Sequence, residues 1–339
     1  MKEALLYERK DDDSVICHLC HHNCTIKKNR WGICKVRQNK KGILYTWVYD
    51  RIIAEHVDPI EKKPLFNFLP GSRSYSVATA GCNFQCQFCQ NASIAQMPRD
   101  EGRISGIPMT SGQIVQSARN QRCQSIAYTY TEPTIYFELA LDTAQKAHDN
   151  GIKNVFVSNG FMSEDAIKMI SPWLDAANID LKSFDNAFYK KYCSARLQPV
   201  LDNLVLLKNN GVFLEITTLL ITGLNDAPQQ IKKTAAFIAK KLGPETPWHI
   251  SRFHPTYRMK DRPATSVESL QTARQIGLDE GLHYVYTGNI PGDEGESTFC
   301  HHCGELLIER YGFTIQKNAL IDNRCPKCQT EANIITMNS

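Results

Sequence analysis

The chain has 339 residues, of which 42% are hydrophobic and 22% charged, and it carries a net charge of +4 at pH 7. This composition is typical of a globular protein long enough for one large domain with smaller appendages. The charge is compatible with an acidic protein or a nucleic acid partner, but it is too small to indicate a basic binding surface. No apolar run approaches the roughly 18 residues of a membrane span, and the first residues lack the apolar core of a signal peptide. We therefore expect a cytoplasmic protein with no membrane partner.

Cysteines are the most informative residues of this chain. It contains thirteen of them, and in a cytoplasmic protein such a number indicates metal binding rather than disulfides. Random placement would give roughly 0.5 Cys-x2-Cys pairs in a chain of this length. The sequence contains four such pairs: Cys17/Cys20, Cys86/Cys89, Cys300/Cys303 and Cys325/Cys328. Chance is therefore a poor explanation of the pattern.

The first cysteine-rich segment is a candidate metal site. Its cysteines are Cys17, Cys20, Cys24 and Cys34. Four thiolates suit zinc and an iron–sulfur cluster equally well by ligand type. The long gap before Cys34 departs from ferredoxin spacing and favours zinc, with the iron–sulfur cluster as the alternative. Three histidines in the same segment, His18, His21 and His22, are candidates to replace one cysteine.

The middle of the chain alternates between short β-branched or aromatic runs and amphipathic segments. The runs are 75–81, 125–131, 154–158, 178–182, 212–221, 248–253 and 283–287. The segments between them carry helix signals, including capping boxes at Thr110/Gln113 and Thr265/Glu268. This alternation predicts an α/β fold with a parallel sheet, and the number of units predicts a partial (β/α)6-type TIM barrel. Functional groups are then expected at the carboxyl ends of the strands.

Changes in composition divide the chain into three parts. Residues 1–72 form a cysteine-rich module and a proline-punctuated connecting segment, residues 73–291 form the barrel, and residues 292–339 form a small module. The polar stretch 291–298 is the second boundary. We therefore expect one barrel with a small cysteine-rich metal-binding module at each terminus.

Three further cysteines directly follow the first predicted barrel strand. They are Cys82, Cys86 and Cys89, and random placement would give about 0.02 such triads in a chain of this length. A structural zinc site needs four protein ligands, and a disulfide needs two. Three thiolates on one loop instead indicate an iron–sulfur cluster in which one iron is left for another ligand.

The stretch CNFQCQFC (82–89) matches the CxxxCxΦC signature of radical S-adenosylmethionine (SAM) enzymes, with Phe88 as the aromatic residue. Further matching motifs, TYTEPT, SNG, DLK and RFH, lie on or after later strands, so the resemblance covers nearly the whole chain. The sequence resembles the pyruvate formate-lyase activating enzymes. It is more closely similar to the radical SAM member of the AmmeMemoRadiSam system, for which CHLCHHNC and DPIEKKPLFNFLPG are characteristic.

The resemblance implies a reaction as well as a fold. Cys82, Cys86 and Cys89 would hold a 4Fe–4S cluster whose fourth iron binds the amino and carboxylate groups of SAM. Reduction of the cluster would cleave SAM to methionine and a 5′-deoxyadenosyl radical, which abstracts hydrogen from a substrate. The resemblance also implies a one-electron donor protein such as flavodoxin or ferredoxin.

The resemblance also supplies candidate cofactor-binding residues at the strand ends. They are Phe88, Glu132, Ser158, Asn159, Asp180, Lys182, Thr217 and His254. Phe88 would line the adenine site, and Glu132 would receive the SAM ammonium group, although a carboxylate there also suits a helix start. His254 would contact the SAM ribose, or it is an ordinary loop histidine.

Two of these candidate pairs also have simpler interpretations. Ser158 and Asn159 could reach the ribose or methionine part of SAM, but an Asn-Gly turn after a strand explains them nearly as well. Asp180 and Lys182 alternate along one strand and therefore face the same side. If that side is the barrel interior, the two charges need each other or a polar ligand.

The sequence departs from the activating enzymes at three places. Those enzymes commonly have Gly-Gly-Glu where this chain has Tyr130-Thr131-Glu132, and several have an arginine where this chain has Thr217. They also lack both cysteine-rich ends. The resemblance therefore supports SAM cleavage more strongly than it supports glycyl-radical generation.

The C-terminal module has the spacing of a zinc ribbon. Its ligands would be Cys300, Cys303, Cys325 and Cys328, which form two knuckles around one tetrahedral site. A module this small has little core, so the metal would supply folding energy. His301 and His302 are expected to be exposed bystanders. Cys123 and Cys193 stand apart from every pattern and are expected to be buried thiols without a metal.

Three functional hypotheses follow from the sequence. The leading one is a radical SAM oxidoreductase that acts on a macromolecule, with the terminal modules docking that partner. An RNA-modifying enzyme is the alternative, since zinc ribbons often hold nucleic acid, but interleaved basic and aromatic residues are lacking. The third hypothesis is a non-catalytic, zinc-bound scaffold. Measuring the metals in the purified protein would distinguish it, because iron at about four per chain supports an enzyme and zinc alone supports the scaffold.

Overall fold

The N-terminal segment forms two small antiparallel sheets in the computed structural model, which describes residues 1–337. Their strands are β1 (Lys2–Glu3), β2 (Tyr7–Arg9), β3 (Val15–Cys17), β4 (Cys24–Ile26), β5 (Arg37–Lys40) and β6 (Ile43–Thr46). One sheet has the order β2-β3-β4 and the other the order β1-β6-β5. Cys17 and Cys24 lie opposite each other on β3 and β4. Strand pairing therefore brings the first and third cysteines of the N-terminal set together.

The centre of the chain forms one nine-stranded sheet. Its strands are β7 (Arg51–Pro59), β8 (Arg73–Thr79), β9 (Ile107–Pro108), β10 (Ser125–Tyr128), β11 (Lys153–Ser158), β12 (Ala176–Asp180), β13 (Phe213–Leu220), β14 (Trp248–Arg252) and β15 (Val285–Gly288). The order is β15-β14-β13-β12-β11-β10-β8-β7-β9. The strands from β15 to β8 in this order are parallel, and β7 and β9 are antiparallel additions. Every predicted run forms a strand, and the expected partial barrel is confirmed.

Helices connect the parallel strands. They are α1 (Ala92–Ala95), α2 (Met97–Asp100), α3 (Ser111–Asn120), α4 (Phe137–Asp149), α5 (Glu164–Ile170), α6 (Asn186–Phe188), α7 (Gln198–Asn209), α8 (Pro228–Phe237) and α9 (Val267–Asp279). Short 3-10 turns lie at Ile60–Lys62, Pro133–Tyr136, Ser171–Trp173 and Glu294–Glu296, and π-helical turns at Tyr189–Cys193 and Ile238–Leu242. None of the helices in residues 1–337 combines the length and apolar character needed to cross a bilayer.

One of the two predicted capping boxes is confirmed. Thr110 caps α3, and its side chain and that of Gln113 form both reciprocal hydrogen bonds. The box at Thr265 is wrong, because α9 begins one residue later, with Ser266 accepting from the backbone N–H of Ser269. The hydroxyl of Thr265 is buried and donates instead to the backbone carbonyl of Leu220 on β13. A tertiary hydrogen bond therefore replaces the local cap.

The parallel strands are buried on both faces. β10 is buried along its whole length, and β13 has only its first and seventh residues partly exposed. Parallel strands have this pattern because helices cover the outer face while side chains fill the barrel interior. The largest apolar cluster joins the strands to the helices and extends into the N-terminal module through residues such as Val15 and Ile26.

The connecting segment after β7 docks on the barrel through one buried carboxylate. Glu215 on β13 accepts hydrogen bonds from the backbone amides of Phe66, at 3.0 Å, and Asn67, at 2.8 Å. The ring of His249 on β14 lies 2.6 Å from the same carboxylate. β7 itself pairs along its length with β8. The main sheet thus includes a strand from within the segment 1–72.

The C-terminal module packs on the same connecting segment. Its strands are β16 (Thr298–Phe299), β17 (Leu306–Tyr311) and β18 (Thr314–Asn318), in the order β16-β17-β18. The buried guanidinium of Arg310 donates to the backbone carbonyl of Phe66 at 2.9 Å and lies 3.9 Å from the carboxylate of Glu61. This anchor places the turn between β17 and β18 beside the barrel opening.

Candidate active site

A cavity of about 690 Å³ opens at the carboxyl ends of the parallel strands. Its volume lies within the range of about 300–1,000 Å³ that is typical of small-molecule and cofactor sites. Ten of the predicted site residues line it: Cys82, Cys86, Cys89, Phe88, Glu132, Ser158, Asn159, Asp180, Lys182 and Thr217. Most of the candidate residues at the carboxyl ends of the strands therefore line a single cavity, as expected for a parallel sheet.

The three cysteines lie on the irregular loop between β8 and α1. The backbone N–H of Phe84 points at the sulfur of Cys82, at 3.4 Å. The loop is fixed on its other side by the turn after α6, where the carbonyl of Tyr192 accepts from the amide of Gln87 at 2.9 Å. These backbone hydrogen bonds hold the loop in one conformation, with its thiols facing the cavity.

A fourth thiol lies next to this loop. The side chain of Cys193 hydrogen-bonds to the thiol of Cys86, and its backbone carbonyl accepts from the amide of Gln85 at 2.9 Å. The hydrogen bond lowers the pKa of Cys86, whereas burial raises the pKa of Cys193. Cys193 was expected to be an incidental buried thiol, but it contacts a residue of the site. Sequence spacing carries no signal for this contact, because a separate turn brings Cys193 to the loop.

Glu132 is the centre of a buried hydrogen-bond network, with 1% of its surface exposed. Its Oε1 accepts from the amide and hydroxyl of Thr134, at 3.0 and 2.6 Å, and from the hydroxyl of Ser158, at 2.8 Å. Its Oε2 accepts from the amide of Asn159 at 2.8 Å. Burial raises the pKa of Glu132, and these donors oppose that rise. Glu132 therefore caps the turn Pro133–Tyr136, as one interpretation expected, and it also lines the cavity.

Asn159 links this network to the cysteine loop. Its side-chain amide donates to Oδ1 of Asn83 at 2.7 Å and lies 3.8 Å from the sulfur of Cys82. The hydroxyl of Ser158 also accepts from the amide of Gly160 at 3.1 Å, which forms the predicted turn after β11. Both residues thus make the turn and face the cavity.

Asp180 and Lys182 form an ion pair of 2.9 Å on the cavity wall. The side chain of Lys182 is 13% exposed, and its ammonium group lies 5.9 Å from the centre of the Phe88 ring. Burial disfavours the charged lysine, but Asp180 and the thiol of Cys86 raise the pKa of Lys182 well above its usual value. Phe88 is buried and packs on Phe188, with ring centroids 5.8 Å apart. A fixed positive charge therefore lies beside the cysteine loop.

Thr217 contributes a hydroxyl without a partner. Its Oγ1 is buried on the cavity wall and has no hydrogen bond within residues 1–337. An unsatisfied buried hydroxyl is unfavourable unless a ligand or water completes it. Thr217 thus marks a polar contact point on β13, where several activating enzymes have an arginine.

The structure does not bring His254 to the cavity. Its side chain is exposed and lies outside the cavity lining, because Phe253 turns into the core and the next residue faces away. The lining also includes residues that sequence reasoning missed: His56, Lys62, Tyr130, His249, Ser251, Asn289 and Phe313. His56 lies on β7, and Phe313 lies in the C-terminal module. No barrel-strand pattern could have indicated either of them.

The C-terminal cysteines converge at the spacing of a metal site. The four ligand atoms of Cys300, Cys303, Cys325 and Cys328 lie within 4.8 Å of one another. The sulfurs of Cys300 and Cys328 are 3.6 Å apart, as are those of Cys303 and Cys325. A tetrahedral zinc site with Zn–S bonds of about 2.3 Å requires sulfurs about 3.8 Å apart. The geometry therefore matches such a site closely.

A partial α/β barrel with a triad of thiols at a cofactor-sized cavity, together with a few convergent polar groups, is typical of a cofactor-dependent enzyme. Residues 76–238 match the radical SAM superfamily. The chain is 45% identical to an uncharacterized protein, MJ0808, of Methanocaldococcus jannaschii over 342 residues, which cover 99% of this chain and 100% of that protein. The chain belongs to the radical SAM superfamily and is an enzyme of this type. The family implies SAM and a 4Fe–4S cluster as cofactors.

Two more distant similarities agree with this assignment. The 4-hydroxyphenylacetate decarboxylase activating enzyme of Clostridium scatologenes is 22% identical over 182 residues, which cover 49% of this chain and 57% of that enzyme. This match confirms the expected likeness to activating enzymes. The structure of a radical SAM methyltransferase from Sphaerobacter thermophilus superimposes on this chain with a TM-score of 0.50 and 16% sequence identity. The match covers 70% of this chain and 71% of the methyltransferase chain. That likeness concerns the fold.

Proposed function

We propose that this enzyme binds a 4Fe–4S cluster through Cys82, Cys86 and Cys89 and cleaves SAM to abstract hydrogen from a macromolecular substrate. The observation that carries the proposal is the convergence of three thiols with carboxylate, ammonium and hydroxyl groups on one cavity. When bound, the cluster and SAM supply the 5′-deoxyadenosyl radical. The lining residues fit this pair of cofactors, since three cysteines leave one iron for SAM.

Glu132 is placed to bind the ammonium group of SAM. Three donors already occupy its Oε1, whereas Oε2 accepts one hydrogen bond, from Asn159. Oε2 is therefore the less occupied of the two oxygens and is the one left for a further donor. A charge-assisted hydrogen bond to an ammonium group would use it. Ser158 and Asn159 hold the carboxylate in position for this contact.

Lys182 and Thr217 complete the opposite wall. The Lys182 ammonium group is oriented by Asp180 and offers a positive charge to a carboxylate or to the thiolates of the loop. The unpaired hydroxyl of Thr217 can hydrogen-bond to a ligand hydroxyl or carboxylate. Phe88 presents an apolar surface beside Lys182, which suits a flat adenine ring.

The proposed substrate is a protein, and the electron comes from a one-electron donor such as flavodoxin or ferredoxin. The name of the Clostridium scatologenes relative describes an activator of another enzyme. Phe313 of the C-terminal module forms part of the cavity opening, and Tyr311 next to it is exposed. An exposed aromatic rim of this kind suits docking of a macromolecule.

We also propose that the C-terminal cysteines bind structural zinc. The sulfur spacing supports zinc, and the module has only a small apolar cluster of its own to hold it together. Zinc measurement on purified protein tests this. Wild type should retain one zinc at this site, which Cys325→Ser should lose.

The test of the main proposal is anaerobic SAM cleavage. Protein with reconstituted cluster is mixed with dithionite and SAM, and 5′-deoxyadenosine is quantified. Wild type should form it, whereas Cys86→Ala should not. Cys123→Ala is the matched control, because Cys123 is buried in the core away from the cavity. Equal product from Cys86→Ala and wild type would refute the proposal.

A further inference from the structure

The N-terminal cysteines are close together, but not at zinc spacing. Cys17 and Cys24 lie opposite each other on β3 and β4, Cys20 lies in the turn between these strands, and the thiol of Cys34 is close enough to all three to interact with their charge. Yet within residues 1–337 the C-terminal set is the one group of three or more metal-ligating side chains whose ligand atoms all lie within 4.8 Å. Among any three of the N-terminal cysteines, at least one sulfur–sulfur separation therefore exceeds 4.8 Å, which is wider than the roughly 3.8 Å of a tetrahedral zinc site.

The cysteine triad of the active site shows the same wider spacing. Its three sulfurs, like those of the N-terminal set, do not meet the 4.8 Å limit among the described residues. A single zinc ion binds all its thiolates at one atom, whereas a cubane cluster binds each thiolate at a different iron and so requires the wider sulfur spacing. The same chain thus contains one set of cysteines at zinc spacing and two sets at a wider spacing.

The nearby histidines do not compete as ligands. His18 lies at the surface near Glu8, 3.4 Å away, and Nε2 of His22 lies 2.9 Å from the backbone carbonyl of Asn83. His21 packs against the ring of Phe161, with centroids 5.5 Å apart. The contacts of His18 and His22 direct these two imidazoles to other polar partners, whereas the His21 ring lies on Phe161 with its Nε2 buried and without a hydrogen bond within residues 1–337. The four cysteines therefore remain as the ligand set of this site.

The N-terminal set lies directly behind the active-site loop. A Cβ placed on Gly81, the residue before Cys82, would lie 3.5 Å from the carbonyl oxygen of Cys34. Arg99 donates to the backbone carbonyl of Ile33 at 2.8 Å, and its charge interacts with the thiols of both Cys82 and Cys34. None of the N-terminal cysteines lines the cavity, so the two groups of thiols are separate sites joined by the backbone contact between Cys34 and Gly81.

Arg37 adds a feature typical of a redox-active centre. Its guanidinium group is 1% exposed, forms an ion pair with Glu138 and lies 3.8 Å from the sulfur of Cys17. Hydrogen bonds from buried donors to ligand sulfurs tune the reduction potential of iron–sulfur clusters. A structural zinc site has no potential to tune.

We propose that Cys17, Cys20, Cys24 and Cys34 bind a second 4Fe–4S cluster, adjacent to the cluster of the active site. The adjacency of two clusters rests on the proposed function, which places the first cluster on Cys82, Cys86 and Cys89. The second cluster itself does not depend on it. The second site has four protein ligands, so it has no open iron for SAM. This proposal replaces zinc, which the sequence spacing favoured, with the alternative cluster.

Metal analysis of full-length variants, reconstituted anaerobically, tests the proposal. The triple variant Cys82→Ala/Cys86→Ala/Cys89→Ala should retain about four irons and four sulfides per chain, and wild type about eight irons. Cys24→Ser in the triple-variant background should abolish that remaining iron. Cys123→Ser in that background is the matched control and should leave it unchanged. A triple variant with no iron and two zinc ions per chain would overturn the proposal, whatever the result of the SAM cleavage assay.

Electron paramagnetic resonance tests the adjacency and does not require activity. In the dithionite-reduced wild type, two paramagnetic clusters this close should show mutual magnetic broadening. The broadening should disappear in Cys24→Ser and in the triple variant, each of which keeps one cluster. Two sharp, independent signals in wild type would refute the adjacent placement. Circular dichroism confirms that each variant is folded before its spectrum is compared.

Discussion

The ammonium group of Lys182 lies 2.9 Å from the carboxylate of Asp180, on the wall that also carries the thiol of Cys86. This pair provides the cavity with a positive charge that is fixed in position. Its location explains why two opposite charges occur two residues apart at the end of a buried strand. Each stabilises the other in a place where either alone would be unfavourable.

Replacing Lys182 should weaken SAM binding. Lys182→Met keeps the length of the side chain but removes the charge, so the affinity of cluster-loaded protein for SAM should fall at least about tenfold, as expected for a lost charged hydrogen bond. Equilibrium binding of SAM measures this. Lys153→Met is the matched control, since Lys153 forms an exposed pair with Asp175 at the same distance. Equal affinities for the two variants would contradict a role for Lys182 in the site.

Removing the Cys193 thiol should make the active-site cluster harder to reduce. The thiol hydrogen-bonds to Cys86, and hydrogen bonds to ligand sulfurs stabilise the reduced, more negative cluster. In Cys193→Ala, the midpoint potential from an EPR-monitored titration should become more negative, while the iron content stays at the wild-type level. Cys123→Ala should change neither quantity. A loss of iron in Cys193→Ala would instead identify Cys193 as a cluster ligand.

Much of this site was predictable because it depends on local patterns. Each barrel strand is a short apolar run between turn signals, and parallel strands bring their carboxyl ends to one edge. That rule alone brought Cys82, Glu132 and Asp180 together. The cysteine spacing of the triad then indicated the chemistry.

The remaining features depend on tertiary structure. Cys193 reaches Cys86 because a π-helical turn after α6 lies against the cysteine loop, and no sequence spacing indicates that contact. His254 was expected in the cavity, but the burial of Phe253 turns it outward. The sequence spacing of the N-terminal cysteines is compatible with zinc and with a cluster. The choice between them depends on how the fold arranges the four sulfurs, which the spacing along the chain does not specify.

A buried ion pair between β7 and the segment that follows it leads to a stability prediction. Lys63 is 1% exposed, and its ammonium group lies 2.6 Å from the carboxylate of Asp58. Asp58→Asn would leave Lys63 buried without a counter-charge, which typically costs about 3 kcal/mol. Denaturant unfolding should show that loss. Asp13→Asn is the control, because Asp13 pairs with Lys28 at the surface and should change stability by well under 1 kcal/mol.

The same pair predicts a dependence of stability on pH. Burial alone would raise the pKa of Asp58, but hydrogen bonds from Lys63 and Tyr130 hold it well below its usual value. A carboxylate with a lowered pKa in the folded state stabilises the protein above its unfolded pKa of about 3.9, and this contribution is lost as the pH falls further. Wild type should therefore lose stability more steeply than Asp58→Asn below that pH. Parallel curves would show that the pair does not control acid sensitivity.

Glu132 allows its structural and binding roles to be separated. In Glu132→Gln, an amide oxygen can still accept from Thr134 and Ser158, but the new NH2 group faces the amide of Asn159, so the free energy of unfolding should fall by about 1 kcal/mol. The loss of charge should lower SAM affinity at least about tenfold. Glu132→Ala should in addition reduce the unfolding free energy by about 2 kcal/mol, because the buried donors lose their acceptor.

Asp185→Asn is the matched control for Glu132→Gln. Asp185 also accepts from a backbone amide at a helix start, that of Ala187 at 2.8 Å, but it lies outside the cavity lining. Its replacement should leave SAM affinity unchanged. If Glu132→Gln binds SAM as tightly as this control does, Glu132 acts only as a cap, and the ammonium group of SAM must have another partner in the cavity.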